Sequence, residues 1–272
     1  MEAEQKESYD REFEEMRDEL QTAHDMQMDL LPKGNPDIYG YSLDGVCIPA
    51  NNVGGDYYAY RWLGDGDSRL ALVVADVSGK AMEGAITALR FNEMLRYETR
   101  NRKDPAPILE GLNHSLDGQI ETSTFITCCV AVLDIETGSV EVSNAGHCLP
   151  YHYKHDEKRV VPVTLTGFPL GLPAVVRPDV AYGSVTLTLL PGDALVLYSD
   201  GVVEAHSPLG ELYDEERFET LLNATFEGAD ASRVIRTAVR DVDRFIGSAA
   251  RTDDVTLLVL KRNPDVQDTN TQ

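Results

Sequence analysis

Three apolar runs in this sequence each adjoin an aspartate, and this pattern constrains the fold more than any other feature. Residues 70–75 end at Asp76, residues 194–199 end at Asp200, and residues 255–260 follow Asp253 and Asp254. Short, continuous runs rich in β-branched side chains predict strands that are buried on both faces. Because a carboxylate is costly to place beside a buried strand, the sequence predicts packed sheets with functional acids at the strand ends.

The first of these runs has a predicted partner strand whose register can be worked out. A strong turn signal at residues 64–67 separates the aromatic segment 57–63 from the run that ends at Asp76. If the turn centres near Gly66, paired positions sum to about 132, which sets Asp56 opposite Asp76. Two interpretations stay open for this pair, solvated loop-end aspartates or metal ligands. The glycine-bearing turns beside both residues favour metal, since opposed like charges destabilise a sheet unless a cation lies between them.

Apolar residues at helical spacing predict four helices. The first covers about residues 82–100, the second begins at Pro105, and the last two cover about residues 214–225 and 230–247. On the first of them, Met82, Ala85, Ile86 and Leu89 share the apolar face that is predicted to meet the core.

Turn residues between alternating segments predict the remaining strands. Hairpins are expected around residues 136–138, 155–157 and 191–193. An earlier strand over residues 38–50 is expected to be interrupted by a turn or bulge at Asp44-Gly45.

The first thirty-one residues contain no Gly or Pro and have a helix-forming composition. Residues spaced alternately by four and three form the a/d seam of a heptad pattern: Tyr9, Phe13, Met16, Leu20, Ala23, Gln27 and Leu30. Such a seam suits an amphipathic helix that packs on its own domain. It equally suits a coiled coil over residues 9–30 that forms a homodimer or docks an activator protein, and the sequence does not choose between them.

Composition limits the class of protein and of partner. The 272 residues include 24 basic and 46 acidic side chains, so the formal net charge of −22 disfavours nucleic acid and anionic membranes as partners. We expect a helix over residues 1–31, one globular domain over 32–262 and a polar tail over 263–272. The four cysteines form no CxxC pair and no run approaches the roughly 18 apolar residues of a membrane span, so a cytoplasmic protein without signal peptide is expected.

The acidic residues at strand ends indicate a hard-cation site. They are Asp56, Asp76, Asp200 and the pair Asp253 and Asp254, with no His or Cys at matching spacing. Oxygen ligands of this kind select Mg²⁺ or Mn²⁺, and several carboxylates can hold two ions that activate a water for displacement at phosphorus. No convincing Ser/His/Asp set, Cys/His set or glycine-rich phosphate loop competes with this interpretation. The loop residue His147 is a weaker candidate ligand or acid, since a lone loop histidine is more often structural.

Six motifs occur in a fixed order along the chain. They are Gly-Gly-Asp-Tyr-Tyr (54–58), Val-Ala-Asp-Val-Ser-Gly-Lys (74–80), Ser-Asn-Ala-Gly-His (143–147), Gly-Phe-Pro-Leu-Gly (167–171), Tyr-Ser-Asp-Gly-Val-Val-Glu-Ala (198–205) and Thr-Asp-Asp-Val-Thr-Leu (252–257). Together they closely resemble the bacterial branch of the PPM metal-dependent serine/threonine phosphatases, the SpoIIE/RsbU type. The resemblance covers about residues 23–262.

This resemblance implies an α+β fold, a four-layer αββα sandwich of two antiparallel sheets flanked by helices and preceded by an N-terminal helix. It implies two Mn²⁺ or Mg²⁺ ions at one edge of the sheets. By motif, Asp56 and Asp76 would bridge the ions, the Val77 backbone carbonyl would add a ligand, and Asp200 and Asp253 would complete the second site.

The chain departs from the family pattern at a few positions. Asp254 aligns with a position held by Asp or Asn, so Asp253 is preferred as the ligand. Ala59 stands where many members have a second acid, and Ala81 and Glu83 replace a frequent Gly and Pro. None of these changes removes a ligand. Those at Ala81 and Glu83 bear on the position of the helix that follows Lys80.

By resemblance, the chain would hydrolyse a phosphoserine or phosphothreonine monoester on a protein, with a water activated between two metal ions. The implied substrate is a phosphorylated STAS-type anti-anti-sigma factor in a partner-switching pathway. An alternative is a catalytically silent PPM-fold module that acts through its N-terminal helix. A metal-dependent nuclease is a third interpretation, which the net charge of −22 disfavours.

Overall fold

Ten antiparallel strands form two sheets within residues 21–64, 68–79, 81–173 and 181–264, the parts of the chain that this computed structural model describes. The strands in chain order are β1 (Tyr41–Ile48), β2 (Asp56–Trp62), β3 (Arg69–Val77), β4 (Ile126–Asp134), β5 (Ser139–Ala145), β6 (Tyr151–Lys154), β7 (Arg159–Pro162), β8 (Ser184–Thr188), β9 (Ala194–Tyr198) and β10 (Val255–Arg262). Sheet A has the order β1-β10-β9-β6-β7, and sheet B has the order β2-β3-β4-β5-β8.

Helices cover the outer face of each sheet. The described helices are α1 (residues 21–28), α2 (Ala81–Asn101), α3 (Pro105–Leu116), α4 (Glu215–Thr225) and α5 (Ala231–Ile246). Helices α2 and α3 contact strands of sheet B, whereas α4 and α5 contact strands of sheet A. Two sheets between two helical layers confirm the predicted α+β, four-layer sandwich.

The core follows the apolar runs of the sequence. Residues 70–75 of β3 are completely buried, as the run predicted. One apolar cluster fills the space between the sheets and extends beneath α2 and α3, and a second lies between sheet A and the helices α4 and α5. Strands buried on both faces explain why these runs lack the polar alternation of a half-exposed strand.

The prediction of a hairpin at residues 191–193 is wrong, because the flanking strands belong to different sheets. Strand β8 pairs with β5 in sheet B, whereas β9 lies between β10 and β6 in sheet A. Every residue of β9 is buried, which suits a central strand, while β8 is largely exposed and forms an edge. The turn therefore passes the chain from one sheet to the other. The hairpins predicted around 136–138 and 155–157 are confirmed as β4–β5 and β6–β7.

The expected interruption at Asp44-Gly45 is also wrong. Strand β1 pairs with β10 without a break from Tyr41 to Ile48. Gly45 has a packing role instead, because a Cβ at this position would collide with the side chains of Tyr58 and Tyr60. The glycine therefore allows close approach of the two sheets without bending the strand.

Helix α2 turns a different face to the core than predicted. Ile86 and Leu89 are each 49% exposed, whereas Phe91 and Leu95 are completely buried. Phe91 packs edge-on against the ring of Tyr57 at a centroid distance of 5.8 Å, which fixes the rotation of the helix.

Some expectations fall outside the described residues. They concern Tyr9, Phe13, Met16 and Leu20 of the seam, the turn at 65–67, Lys80, the side chains of Ala81, Met82, Glu83 and Ala85, and the tail from residue 265. In the described part of the seam, Gln27 is buried, and Leu30 packs against the core. This part therefore packs on its own domain.

None of the helices in the described residues combines the length and the apolar character that a membrane crossing requires.

Candidate metal centre

Asp56 lies directly opposite Asp76 in the β2–β3 ladder, which confirms the register worked out from the turn. Asp56 is 3% exposed, and within the described part of the chain its Oδ2 atom is buried without a hydrogen-bond partner. A buried carboxylate oxygen left unpaired carries a desolvation cost that a bound ligand would remove. This atom therefore marks the inner end of a candidate site.

The pKa values of Asp56 and Asp76 indicate that several negative charges lie close together. Burial raises the pKa of Asp56 well above its ordinary range, and the facing carboxylate of Asp76 raises it further. Burial also raises the pKa of Asp76 to about 7, with added repulsion from the carboxylates of Asp200, Asp253 and Asp254. Carboxylates that disfavour one another's ionisation form a place where a divalent cation would be favourable.

Asp200 and Asp253 reach the same end of the sandwich from sheet A. Asp200 opens the short 3-10 turn that follows β9, and Asp253 lies just before β10, the neighbour of β9 in the sheet. Burial raises the pKa of Asp200, with a further contribution from Glu204, and burial raises that of Asp253. Acids that are far apart in sequence thus lie within electrostatic reach of one another.

Asp254 has a different role from its neighbour, because its carboxylate is occupied by backbone groups. Its Oδ1 accepts a hydrogen bond from the Ala50 N–H at 2.7 Å, and its Oδ2 accepts from the N–H groups of Gly55 at 2.8 Å and Asp56 at 3.3 Å. Asp254 is 6% exposed, whereas Asp253 is exposed to solvent. The contacts assign Asp254 to holding the loop that carries Asp56, a role that nothing in the sequence signalled.

The paired glycines before Asp56 allow backbone and carboxylates to approach closely. A Cβ on Gly54 would occupy the space of the Asp254 carboxylate, and a Cβ on Gly55 would collide with the Val77 carbonyl oxygen. The Val77 N–H also donates to the Gly55 carbonyl at 3.2 Å. The Val77 carbonyl therefore faces the same loop as the aspartates, which is consistent with its predicted place beside them.

These residues fit a divalent cation in their chemistry. Carboxylate oxygens and a backbone carbonyl form a hard, all-oxygen donor set. The unpaired Asp56 Oδ2 and the raised pKa values of Asp56 and Asp76 indicate where a cation would be stabilising. Among the residues that the structure describes, no three carboxylate, imidazole or thiol groups converge tightly enough to form a complete metal site. The chemistry of the donors, and not a preformed cluster, is therefore what indicates the site.

His147 has the contacts of a structural residue. Its backbone N–H donates to Asn144 Oδ1 at 2.7 Å, and its ring Nδ1 lies 2.8 Å from the Thr127 hydroxyl. Burial lowers its pKa to about 4, so the ring is neutral at physiological pH. These contacts favour the structural interpretation of this histidine over a catalytic one.

Comparison with known proteins adds a family relationship to this geometry. The model of the family "Stage II sporulation protein E (SpoIIE)" matches residues 66–263, a segment that contains Asp76, Asp200 and Asp253. Protein IcfG of Synechocystis is 26% identical, with 90% of this chain and 42% of the relative covered. Phosphoserine phosphatase RsbU of Bacillus subtilis is 26% identical, with 73% of this chain and 57% of the relative covered. The chain thus spans about half the length of the curated relatives it matches.

Solved structures share the fold. The SiaA-PP2C domain of Pseudomonas aeruginosa superposes with a TM-score of 0.78 at 19% identity, covering 92% of this chain and 97% of that one. The RsbU and RsbW domains of Rv1364c from Mycobacterium tuberculosis give a TM-score of 0.70 at 26% identity, covering 84% and 61%.

Proposed function

Since the chain belongs to the SpoIIE family of bacterial PPM-type phosphatases, we propose that it is a Mn²⁺- or Mg²⁺-dependent protein serine/threonine phosphatase. The proposed catalytic unit is residues 32–262, preceded by a proposed N-terminal segment of residues 1–31, of which 21–28 form α1, and followed by a proposed tail of residues 263–272. Its proposed reaction is the hydrolysis of a phosphoserine or phosphothreonine monoester by a water molecule.

One observation carries this proposal, the facing pair of Asp56 and Asp76 with an unpaired, buried carboxylate oxygen between the sheets. A structural pair of acids would be expected to have a basic partner. Here the pKa of Asp76 rises to about 7, because burial and further carboxylates act on it in the same direction. Such an arrangement costs stability unless cations complete it.

We assign the ligand roles by position. Asp56, Asp76 and the Val77 carbonyl oxygen would help to hold the ions, and Asp200 and Asp253 would complete the second ion's site. When bound, two such ions supply the Lewis acidity that lowers the pKa of a water molecule and offsets charge on the phosphoryl oxygens.

The protein's own groups hold these donors in place. The Asp254 carboxylate fixes the backbone N–H groups of Gly55 and Asp56, and the side chain of Asp56 is buried. No protein nucleophile is assigned; the buried His147 is neutral, and its backbone N–H and ring Nδ1 contact Asn144 and Thr127.

The proposed substrate is a phosphorylated protein, specifically a STAS-type anti-anti-sigma factor in a partner-switching pathway. Support comes from the relatives, one of which is named phosphoserine phosphatase RsbU and another of which combines RsbU and RsbW domains. A chain with a net charge of −22 would also need local cations to accept an anionic phosphoprotein.

The test is metal-dependent release of phosphate from phosphorylated STAS-domain proteins by the full chain. Asp76→Asn and Asp200→Asn should each abolish Mn²⁺-dependent turnover, while Asp156→Asn in an exposed turn should leave it unchanged. A wild-type chain that binds Mn²⁺ but releases no phosphate from any phosphoprotein would support the alternative, a catalytically silent module acting through its N-terminal helix. Turnover retained in Asp76→Asn would refute the assigned site.

A further inference from the structure

The side chain of Gln27 makes two hydrogen bonds to the backbone of a single residue, Gly54. Its Nε2 donates to the Gly54 carbonyl at 2.6 Å, and its Oε1 accepts from the Gly54 N–H at 3.0 Å. Gln27 is 6% exposed, so both bonds are shielded from water. One amide side chain therefore satisfies both backbone polar groups of Gly54, as a neighbouring strand would.

Gly54 lies two residues before Asp56, in the loop that enters β2. On the other side of this loop, the Asp254 carboxylate accepts hydrogen bonds from the N–H groups of Gly55 and Asp56. The approach to Asp56 is thus held by two side chains, Gln27 from α1 and Asp254 from the start of β10. Two such restraints from separate elements fix the position of the loop.

Gly54 has no side chain with which to anchor itself, and none can be added. A Cβ at this position would overlap the Asp254 carboxylate. Glycine also has the greatest backbone freedom, so an unrestrained Gly54-Gly55 pair would sample many conformations. The backbone hydrogen bonds from Gln27 therefore supply order that the sequence of the loop itself lacks.

We propose that Gln27 is a positioning residue for the metal centre, which holds Gly54 so that the Asp56 carboxylate is presented in place for a cation. The proposal rests on the proposed function, since it concerns the same site. Gln27 touches neither substrate nor ions and acts through the Gly54 backbone.

The position of Gln27 in α1 makes this restraint depend on helix packing. His24, one turn earlier, places its Nδ1 within hydrogen-bond distance of the Asn52 carbonyl, so α1 contacts the loop at two points. The restraint on Asp56 therefore lasts only while α1 is seated against the domain.

Hydrogen exchange of the metal-free full chain tests the restraint directly. In Gln27→Met the side-chain volume is kept but both hydrogen bonds are lost, so amides in residues 50–56 should exchange at least about tenfold faster than in wild type. Gln21→Met on the same helix is the matched control, because Gln21 is exposed and bonds only to Asp25 in the described residues. Exchange within about twofold of wild type in Gln27→Met would overturn the proposal.

Titration with Mn²⁺, followed by calorimetry, gives the second readout. Gln27→Met should weaken Mn²⁺ affinity about tenfold, or about 1.4 kcal/mol, while Gln21→Met should match wild type. Gln27→Asn retains the amide but is one methylene too short to reach Gly54, so it should behave as Gln27→Met does even if the methionine variant folds poorly. Wild-type affinity in both variants would overturn the role of Gln27. Failure of the wild-type chain to bind Mn²⁺ would instead overturn the proposed function.

Discussion

Replacing Asp76 with asparagine should stabilise the metal-free protein. Burial, aided by neighbouring carboxylates, raises the pKa of Asp76 from 3.8 to about 7. The folded chain therefore holds a proton on Asp76 over a pH range in which the unfolded chain has released it. Because the folded state binds more protons there, the free energy of unfolding falls as pH rises through this range, and the full penalty is present above about pH 7.

The size of the effect follows from the width of that range. About three pH units, at about 1.4 kcal/mol each, set an upper limit of about 4 kcal/mol on the penalty. Water entry and side-chain relaxation reduce it, so we expect Asp76→Asn to recover about 2 kcal/mol. For a chain of this size, that gain corresponds to a rise in Tm of about 4–8 °C.

Thermal melts in the presence of a chelator, from about pH 5 to about pH 8, measure this gain. The difference in Tm between Asp76→Asn and wild type should be largest at the alkaline end and shrink toward the acidic end. Asp156→Asn, in an exposed turn, controls for the loss of one negative charge. Added Mn²⁺ should raise the Tm of wild type and leave Asp76→Asn nearly unchanged. A variant that melts below wild type at about pH 8, or a pH-independent difference, would refute the reasoning.

Three further predictions concern residues near and far from the site. Asp253→Asn should weaken Mn²⁺ binding with little change in Tm. Asp254→Asn should lower the Tm by several degrees, because it weakens the hydrogen bonds from three backbone N–H groups to this side chain. Equal effects of the two variants on Tm would contradict the assigned roles. His147, whose pKa burial lowers to about 4, should remain neutral in an NMR titration down to about pH 5, and its contribution to stability should be lost as the pH falls from about 6.5 toward 4. Lys261→Met removes a buried ammonium that donates to two backbone carbonyls, so it should cost about 2 kcal/mol in thermal melts without altering Mn²⁺ affinity.

The pairing of Asp56 with Asp76 could be predicted because its causes are local. A single turn fixes the register of a hairpin, and each flanking run shows where its strand begins and ends. The acids at Asp200 and Asp253 were likewise visible as breaks in apolar runs, and burial on both faces explains the absence of polar alternation.

The turn at residues 191–193 could not be interpreted from its own sequence. A tight turn that connects two strands of one sheet has the same residue types as one that crosses between sheets. The difference in burial between β9, which is buried, and β8, which is exposed, distinguishes the two kinds of turn. That difference depends on which strands from elsewhere in the chain pair with each of them.

The hydrogen bonds that hold the loop before Asp56 could not be predicted from sequence patterns either. The Asp254 carboxylate and the Gln27 amide bond to backbone groups far away in the chain, and a backbone N–H or carbonyl has no signature of its own in a sequence. The heptad pattern placed Gln27 on the packed face of α1, but that pattern describes apolar burial and gives no hint of a polar contact.

The order of strands in sheet A has a consequence for synthesis. Strand β10 lies between β1 and β9, and β1 has no other neighbour in that sheet. A ribosome delivers β1 early and β10 some two hundred residues later, with Asp253 and Asp254 immediately ahead of it. Sheet A therefore closes, and Asp253 and Asp254 join the Asp56–Asp76 pair, only after translation has passed β10. A nascent or truncated chain that stops short of this strand would have neither a finished sheet A nor the two acids that precede β10.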